Sequence, residues 1–160
     1  FSSRLRKFLD VDLQKCYNKI LLSAIKNQLV TASEEKWKRE WESTSKGLLT
    51  KSFFQRVRER LKLNLRVSPN LTTLLTGHGR LNAYFHRFKI KTNSMCVCGE
   101  GDQTVDHVIY DVKVKKEREV LVQSVSKCGE VWPVPKHVLG VKCIKQLTKF
   151  ANSIDLDELQ

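Results

Sequence analysis

The stretch Thr76-Gly77-His78-Gly79-Arg80-Leu81-Asn82-Ala83-Tyr84-Phe85-His86-Arg87-Phe88-Lys89 runs through Ile90-Lys91-Thr92-Asn93-Ser94-Met95 into Cys96-Val97-Cys98-Gly99-Glu100, and then to Asp106-His107-Val108-Ile109-Tyr110-Asp111-Val112. Its first half reads as a helix over 78–89, with Leu81, Phe85 and Phe88 turned inward and Arg80, Arg87 and Lys89 outward. Its second half has the spacing of a zinc knuckle: Cys96, Cys98 and, after eight intervening residues, His107. A loop this small cannot hold its shape by core burial alone, and a tetrahedral metal would close it. The fourth ligand is not evident from this spacing.

Upstream, Leu13, Cys16, Tyr17, Ile20, Leu21, Ala24, Ile25 and Leu29 recur at steps of three and four, which predicts an amphipathic helix over 11–29. Thr31-Ala32-Ser33-Glu34 matches a capping box, so a second helix is expected to start there, with Trp37 and Trp41 four apart as a packing seam or, alternatively, a base-stacking platform. Gly47 is expected to end it. Residues 50–63 place Phe53, Phe54, Val57 and Leu61 on one side and Arg56, Arg58 and Arg60 outward. Arginine grips phosphate bidentately, which makes these three candidate backbone contacts. Ser68 and Pro69 open a further helix closed by Gly77, with Leu71, Leu74 and Leu75 as core. Asn70-Leu71-Thr72 is also a glycosylation triplet, relevant only to an exported chain.

Downstream, Thr104 is expected to cap a short helix through His107 and Tyr110. Residues 113–127 make another, sealed by Leu121, Val122, Val125 and Cys128 and stopped by Gly129. After an extended Trp132-Pro133-Val134-Pro135 turn, a last helix over about 140–152 packs Val141, Ile144, Leu147 and Phe150 before an acidic end at Asp155, Asp157 and Glu158. The expected fold class is therefore all-α, six or seven short helices with a knuckle-like loop insertion. Residues 1–95 form a basic helical region, 96–112 the insertion, and 113–160 C-terminal helices packed on the first region to give one compact domain.

The run Leu75 to Phe88, followed by Cys96-Val97-Cys98-Gly99-Glu100 and Asp106-His107, resembles the C-terminal region of the reverse-transcriptase polyprotein of arthropod non-LTR retrotransposons. The resemblance extends upstream through Trp37, Trp41 and Ser52-Phe53-Phe54, and downstream to Phe150-Ala151-Asn152-Ser153-Ile154-Asp155. It implies a CCHC knuckle after the polymerase and ribonuclease H regions. In that family a last Cys follows the His, and the resemblance puts Val112 at that position, a residue with no lone pair to offer. Asp111 next to it could swing in as an oxygen donor, although thiolate-based zinc sites rarely substitute in that way. The knuckle is thus degenerate, and Cys96, Cys98 and His107 are expected to hold zinc weakly or not at all.

The net charge of +12 is unevenly spread. Fifteen Lys or Arg face seven acids before Leu63, residues 63–95 hold five basic residues and no acid, and the remainder is nearly balanced. A polyanion partner fits such a surface, because each neutralised phosphate releases a counterion. The expected function is phosphate-directed, weakly sequence-specific binding of RNA or DNA, through Arg56, Arg58, Arg60, Arg80, Arg87, Lys89 and Tyr84. No catalytic residues are assigned: neither paired polymerase-type aspartates, nor a glycine-rich phosphate loop, nor a His-Glu-x-x-His pattern is present, and the chain is expected not to be an enzyme. His78 and His86 are read as structural.

The alternative is a domesticated retrotransposon-derived protein that binds a protein partner. That alternative would be secreted if a leader was removed before Phe1, the start of a processed or excised piece, whereas a chain acting as a retrotransposon product is expected in the nucleus or cytoplasm. Five cysteines without disulfide spacing suit a reducing compartment, with Cys16 and Cys143 read as core. No apolar run approaches membrane-spanning length. If the knuckle framework persists, Val112→Cys should raise zinc affinity; unchanged metal content after that substitution would show that the loop has lost its geometry.

Overall fold

The first 46 residues contain no glycine or proline, and α1 runs unbroken over Ser2–Ser43. Two helices separated at Thr31 were expected, and the structure joins them. A capping box starts a helix only where the chain has left one, and nothing before Thr31 removes an amide or favours a left-handed turn. The computed structural model describes residues 2–111 and 115–159, with side chains from Leu22 onward except that of Lys115. The expected roles of Leu13, Cys16, Tyr17, Ile20 and Leu21, and of Val112, lie outside the described residues or side chains. The chain divides into two compact units, Phe1–Thr44 and Ser45–Gln160.

In the first unit the expected core face is open. Of that face, Ala24, Ile25 and Leu29 are exposed, as is Trp37, while Trp41 is half-buried. The tryptophan seam is thus not a closed core. Lys36–Glu40 and Lys38–Glu42 pair across one turn at 3.9 Å each, contacts of small worth in open solvent.

The second unit is a cluster of short helices: α2 (Leu48–Phe53), α3 (Val57–Lys62), α4 (Pro69–Thr76), α5 (Asn82–Arg87), α6 (Lys115–Ser126), α7 (Lys136–Val141) and α8 (Ile144–Ser153). There is no strand among the described residues, only an isolated bridge between Met95 and Asp102, and the all-α expectation holds. No helix among them is long and apolar enough to cross a membrane. Helix α8 is the hub, packing against α4, α6 and α7, while α2 lies on α4 and α7. Phe53, Phe54, Leu71, Leu74, Leu121, Val125, Leu139, Leu147 and Phe150 fill the centre.

Helix α4 follows its sequence signals. Ser68 Oγ accepts from Leu71 N at 3.2 Å, Pro69 takes the first position, and Gly77 closes it at φ 71°. Asn70 serves this packing: its Nδ2, the atom a glycan would occupy, donates to Ile154 O at 2.9 Å. Elsewhere residues 50–63 fall into two helices with a break at 54–56, and the helix expected over about 140–152 is interrupted at 142–143. The break after Phe53 lets Phe53 and Phe54 both enter the core, which leaves Leu61 about half exposed. Cys128, expected to seal α6, is exposed, because the helix stops at Ser126 and Gly129 takes φ 79° just beyond. Cys143 is buried as expected.

Helices α2 and α7 approach closely at Gly140, where a methyl group would meet the Phe53 carbonyl. That neighbour is backbone and cannot swing away. Gly140→Ala should therefore lower unfolding free energy by about 2–3 kcal/mol, as overpacked cores do, in a denaturant titration with unchanged slope; a loss below about 0.5 kcal/mol would mean the two helices separate freely.

Candidate metal centre and its basic aromatic flank

The two cysteines stand on a tight hairpin-like loop. Ser94 O accepts from Gln103 N at 2.8 Å, Cys96 N donates to Gly101 O at 2.9 Å, and Gly99 N donates to Cys96 O at 2.9 Å. The last turn needs a left-handed residue, and Gly99 supplies it at φ 73°. Thr104 then caps the next turn, its Oγ1 accepting from His107 N at 3.2 Å. The turn continues as a π-helical segment, His107–Asp111, in place of an α-helix, with Val108 and Ile109 driven into the core. Single π turns of this kind recur at functional sites.

This brings the expected triad together. One ligand atom each from Cys96, Cys98 and His107 lies within 4.8 Å of the others, and Cys98 Sγ is 3.1 Å from His107 Nε2. Zinc–sulfur and zinc–nitrogen bonds of about 2.3 and 2.0–2.1 Å separate neighbouring tetrahedral donors by roughly 3.5–3.8 Å, so the spacing suits a borderline-soft divalent ion. Burial pushes the Cys96 thiol up, and its sulfur faces Leu159 O at 3.8 Å. A metal would have to displace that proton. The donor set therefore fits zinc through three side chains.

Two residues not anticipated from the sequence hold this loop. Leu81, at the N-cap of α5, offers no side-chain acceptor; instead fully buried Gln103 reaches across, its Oε1 accepting from Asn82 N at 2.8 Å and its carbonyl from Ala83 N at 3.4 Å. Asn82 in turn donates from Nδ2 to Met95 O at 2.7 Å and accepts from Lys91 Nζ at 2.9 Å. The network ties the first turn of α5 to both arms of the cysteine loop. Nothing local in the sequence marks Gln103, which stands between Asp102 and Thr104.

The expected basic residues are arranged less uniformly. The helix foreseen over 78–89 shrinks to 82–87, because Gly77 and Gly79 both take positive φ and Lys89 ends the segment at φ 58°. Phe88, expected inside, is 52% exposed. It meets Tyr84 at a 45° tilt with centroids 4.7 Å apart, and Tyr84 meets His78 at a 38° tilt and 5.3 Å. The Arg87 guanidinium lies 5.5 Å over Phe88, and Arg87 and Lys89 are exposed. Arg80 is paired with Asp157 at 2.8 Å. On α3, Arg56 and Arg58 are exposed and Arg60 leans on Phe54 at 5.8 Å.

Replacing Gln103 by Leu leaves the Asn82 amide without its acceptor. A loss of about 1–3 kcal/mol of stability is expected from that orphaned donor, with hydrogen exchange of the Asn82 and Ala83 amides accelerated; protection at wild-type level would place the cap elsewhere.

Comparison with known proteins places this geometry in a family context. The chain is similar over 152 residues, 92% of its length and at 29% identity, to the retrovirus-related Pol polyprotein from type-1 retrotransposable element R1 of Popillia japonica, of which the match spans 59%. The corresponding R1 polyprotein of Bradysia coprophila is 26% identical over 67% of the chain and 10% of that polyprotein. An R1 4 polyprotein of Nasonia vitripennis is 28% identical over 62% of the chain and 26% of that polyprotein. The chain thus spans about three fifths or less of these relatives. No family model and no solved structure matches it. Across most of its length the chain is homologous to part of the Pol polyproteins of insect R1 retrotransposons, and its origin is retrotransposon-derived.

Proposed function

We propose that the chain is a retrotransposon-type nucleic-acid-binding element, without catalytic residues of its own, that holds RNA or DNA mainly by phosphate and with weak sequence preference. The observation that carries this reading is the partly exposed row His78, Tyr84 and Phe88 with Arg87 over its outer ring, within residues 63–95 that hold five basic side chains and no acid. Aromatic faces accept bases of any identity, and flanking guanidinium groups meet the backbone. Arg56, Arg58 and Arg60 extend the basic surface on α3, and Lys89 follows the aromatic row. Zinc on Cys96, Cys98 and His107 would cross-link the loop to the π turn and so stiffen the segment that Asn82 and Gln103 attach to α5.

Titration of fluorescent single-stranded RNA and of duplex DNA at two salt concentrations tests this. Affinity should fall steeply with salt, and changing Arg56, Arg58 and Arg60 together to Ala should lower the logarithmic salt slope by about two to three. Tyr84→Ala should weaken single-strand binding by about 1–3 kcal/mol with little change in slope. Binding that is absent at low salt, or insensitive to salt, would overturn the reading.

A further inference from the structure

His107 turns its two ring nitrogens to different groups. Nε2 faces the Cys98 sulfur at 3.1 Å, inside the triad, whereas Nδ1 faces Asp111 Oδ2 at 3.7 Å. The π turn sets this up by carrying residues 107 and 111 along one segment, with the ring almost fully buried and the carboxylate largely in solvent. Although Asp111 is a metal-ligating residue type beside the site, the three ligand atoms gather without it. Val112, Lys113 and Val114, which follow, contribute no Cys, His or carboxylate.

We infer that Asp111 is the carboxylate that orients His107 for the metal, accepting from its Nδ1–H, and is not the fourth ligand that replaces a lost cysteine. This rests on the metal reading above. An imidazole cannot present both nitrogens to one ion, and its Nε2 lone pair is free for the metal only when the proton resides on Nδ1. A carboxylate on the Nδ1 side fixes that tautomer and makes the ring a stronger donor. The 3.7 Å separation exceeds a hydrogen bond, but Asp111 is exposed enough to close it by side-chain rotation when the ring becomes a ligand. A metal there would then have three protein donors among the described residues.

Cobalt(II) titration of the full chain separates the outcomes, because thiolate-to-cobalt and visible ligand-field bands report which atoms bind, and chelator competition reports how tightly. Asp111→Asn and Asp111→Ala should each weaken binding about 10–100-fold while leaving band positions and intensities as in the unsubstituted chain. His107→Ala should change the bands themselves. In the zinc-loaded chain, nitrogen NMR should find the His107 proton on Nδ1. Altered ligand-field bands in Asp111→Asn would make Asp111 a direct ligand, and unaltered affinity would remove it from the site; either result overturns the inference while the metal reading stands. An unsubstituted chain that binds neither cobalt nor zinc overturns both.

Discussion

The buried amide of Gln103 is the joint on which the candidate site depends. Helix α5 begins at a residue, Leu81, whose side chain can accept nothing, and unbonded first-turn amides are costly once buried. Gln103 satisfies two of them from 21 residues away, with its side chain and its own carbonyl. Its backbone amide is at the same time part of the cysteine loop, donating to Ser94 O. One residue therefore fixes the distance between the aromatic row of α5 and the thiols. A metal on the triad and a base on Tyr84 would act on opposite ends of the same short framework.

What was legible in the sequence follows from how local each signal is. Ser68, Pro69 and Gly77 act within one helix of eight residues, and α4 has the predicted bounds, cap and buried leucines. The triad was legible because knuckle spacing is itself local, and the intervening glycines can only help it turn. The second helix start at Thr31 was misread because a capping box describes a start without enforcing one, and no breaker precedes it. Phe88 was misassigned for a related reason. Its helical phase relative to Leu81 points inward only if the helix continues, and α5 ends at Arg87. Asn82 and Gln103 had no such signal, since their partners are set by tertiary approach, and Asp111 was legible as a residue beside the site but not as a partner of His107 Nδ1, which the phase of a π turn sets.

The acidic end of the chain also has a different meaning in three dimensions. By charge alone, Asp155, Asp157 and Glu158 form a solvated tail. In the structure the segment is anchored by buried Ile154 and Leu156, and Leu159 O meets the Cys96 thiol. Asp157 meets Arg80 at 2.8 Å. Loading a metal would deprotonate Cys96 and remove the hydrogen it offers to Leu159. A metal bound there would thus be linked to the tail, although Ile154 and Leu156 hold the tail independently by apolar burial, which at about 1.5–3 kcal/mol per side chain outweighs one weak thiol contact.

The same pairing divides the basic residues into unequal classes on the proposed reading. A phosphate approaching Arg80 exchanges one anion for another, so the gain is the difference between two charge-assisted contacts, and the exposed pair is itself worth only about 0–1 kcal/mol. Arg87 presents a different case, since its charge rests on the Phe88 ring, a partner that neutralises nothing. A phosphate there would be met by a full positive charge already held beside a surface on which a base could stack. Net charge counts these two arginines equally, whereas on the proposed reading Arg87 would be the stronger anchor and Arg80 chiefly a tie to the C-terminal segment.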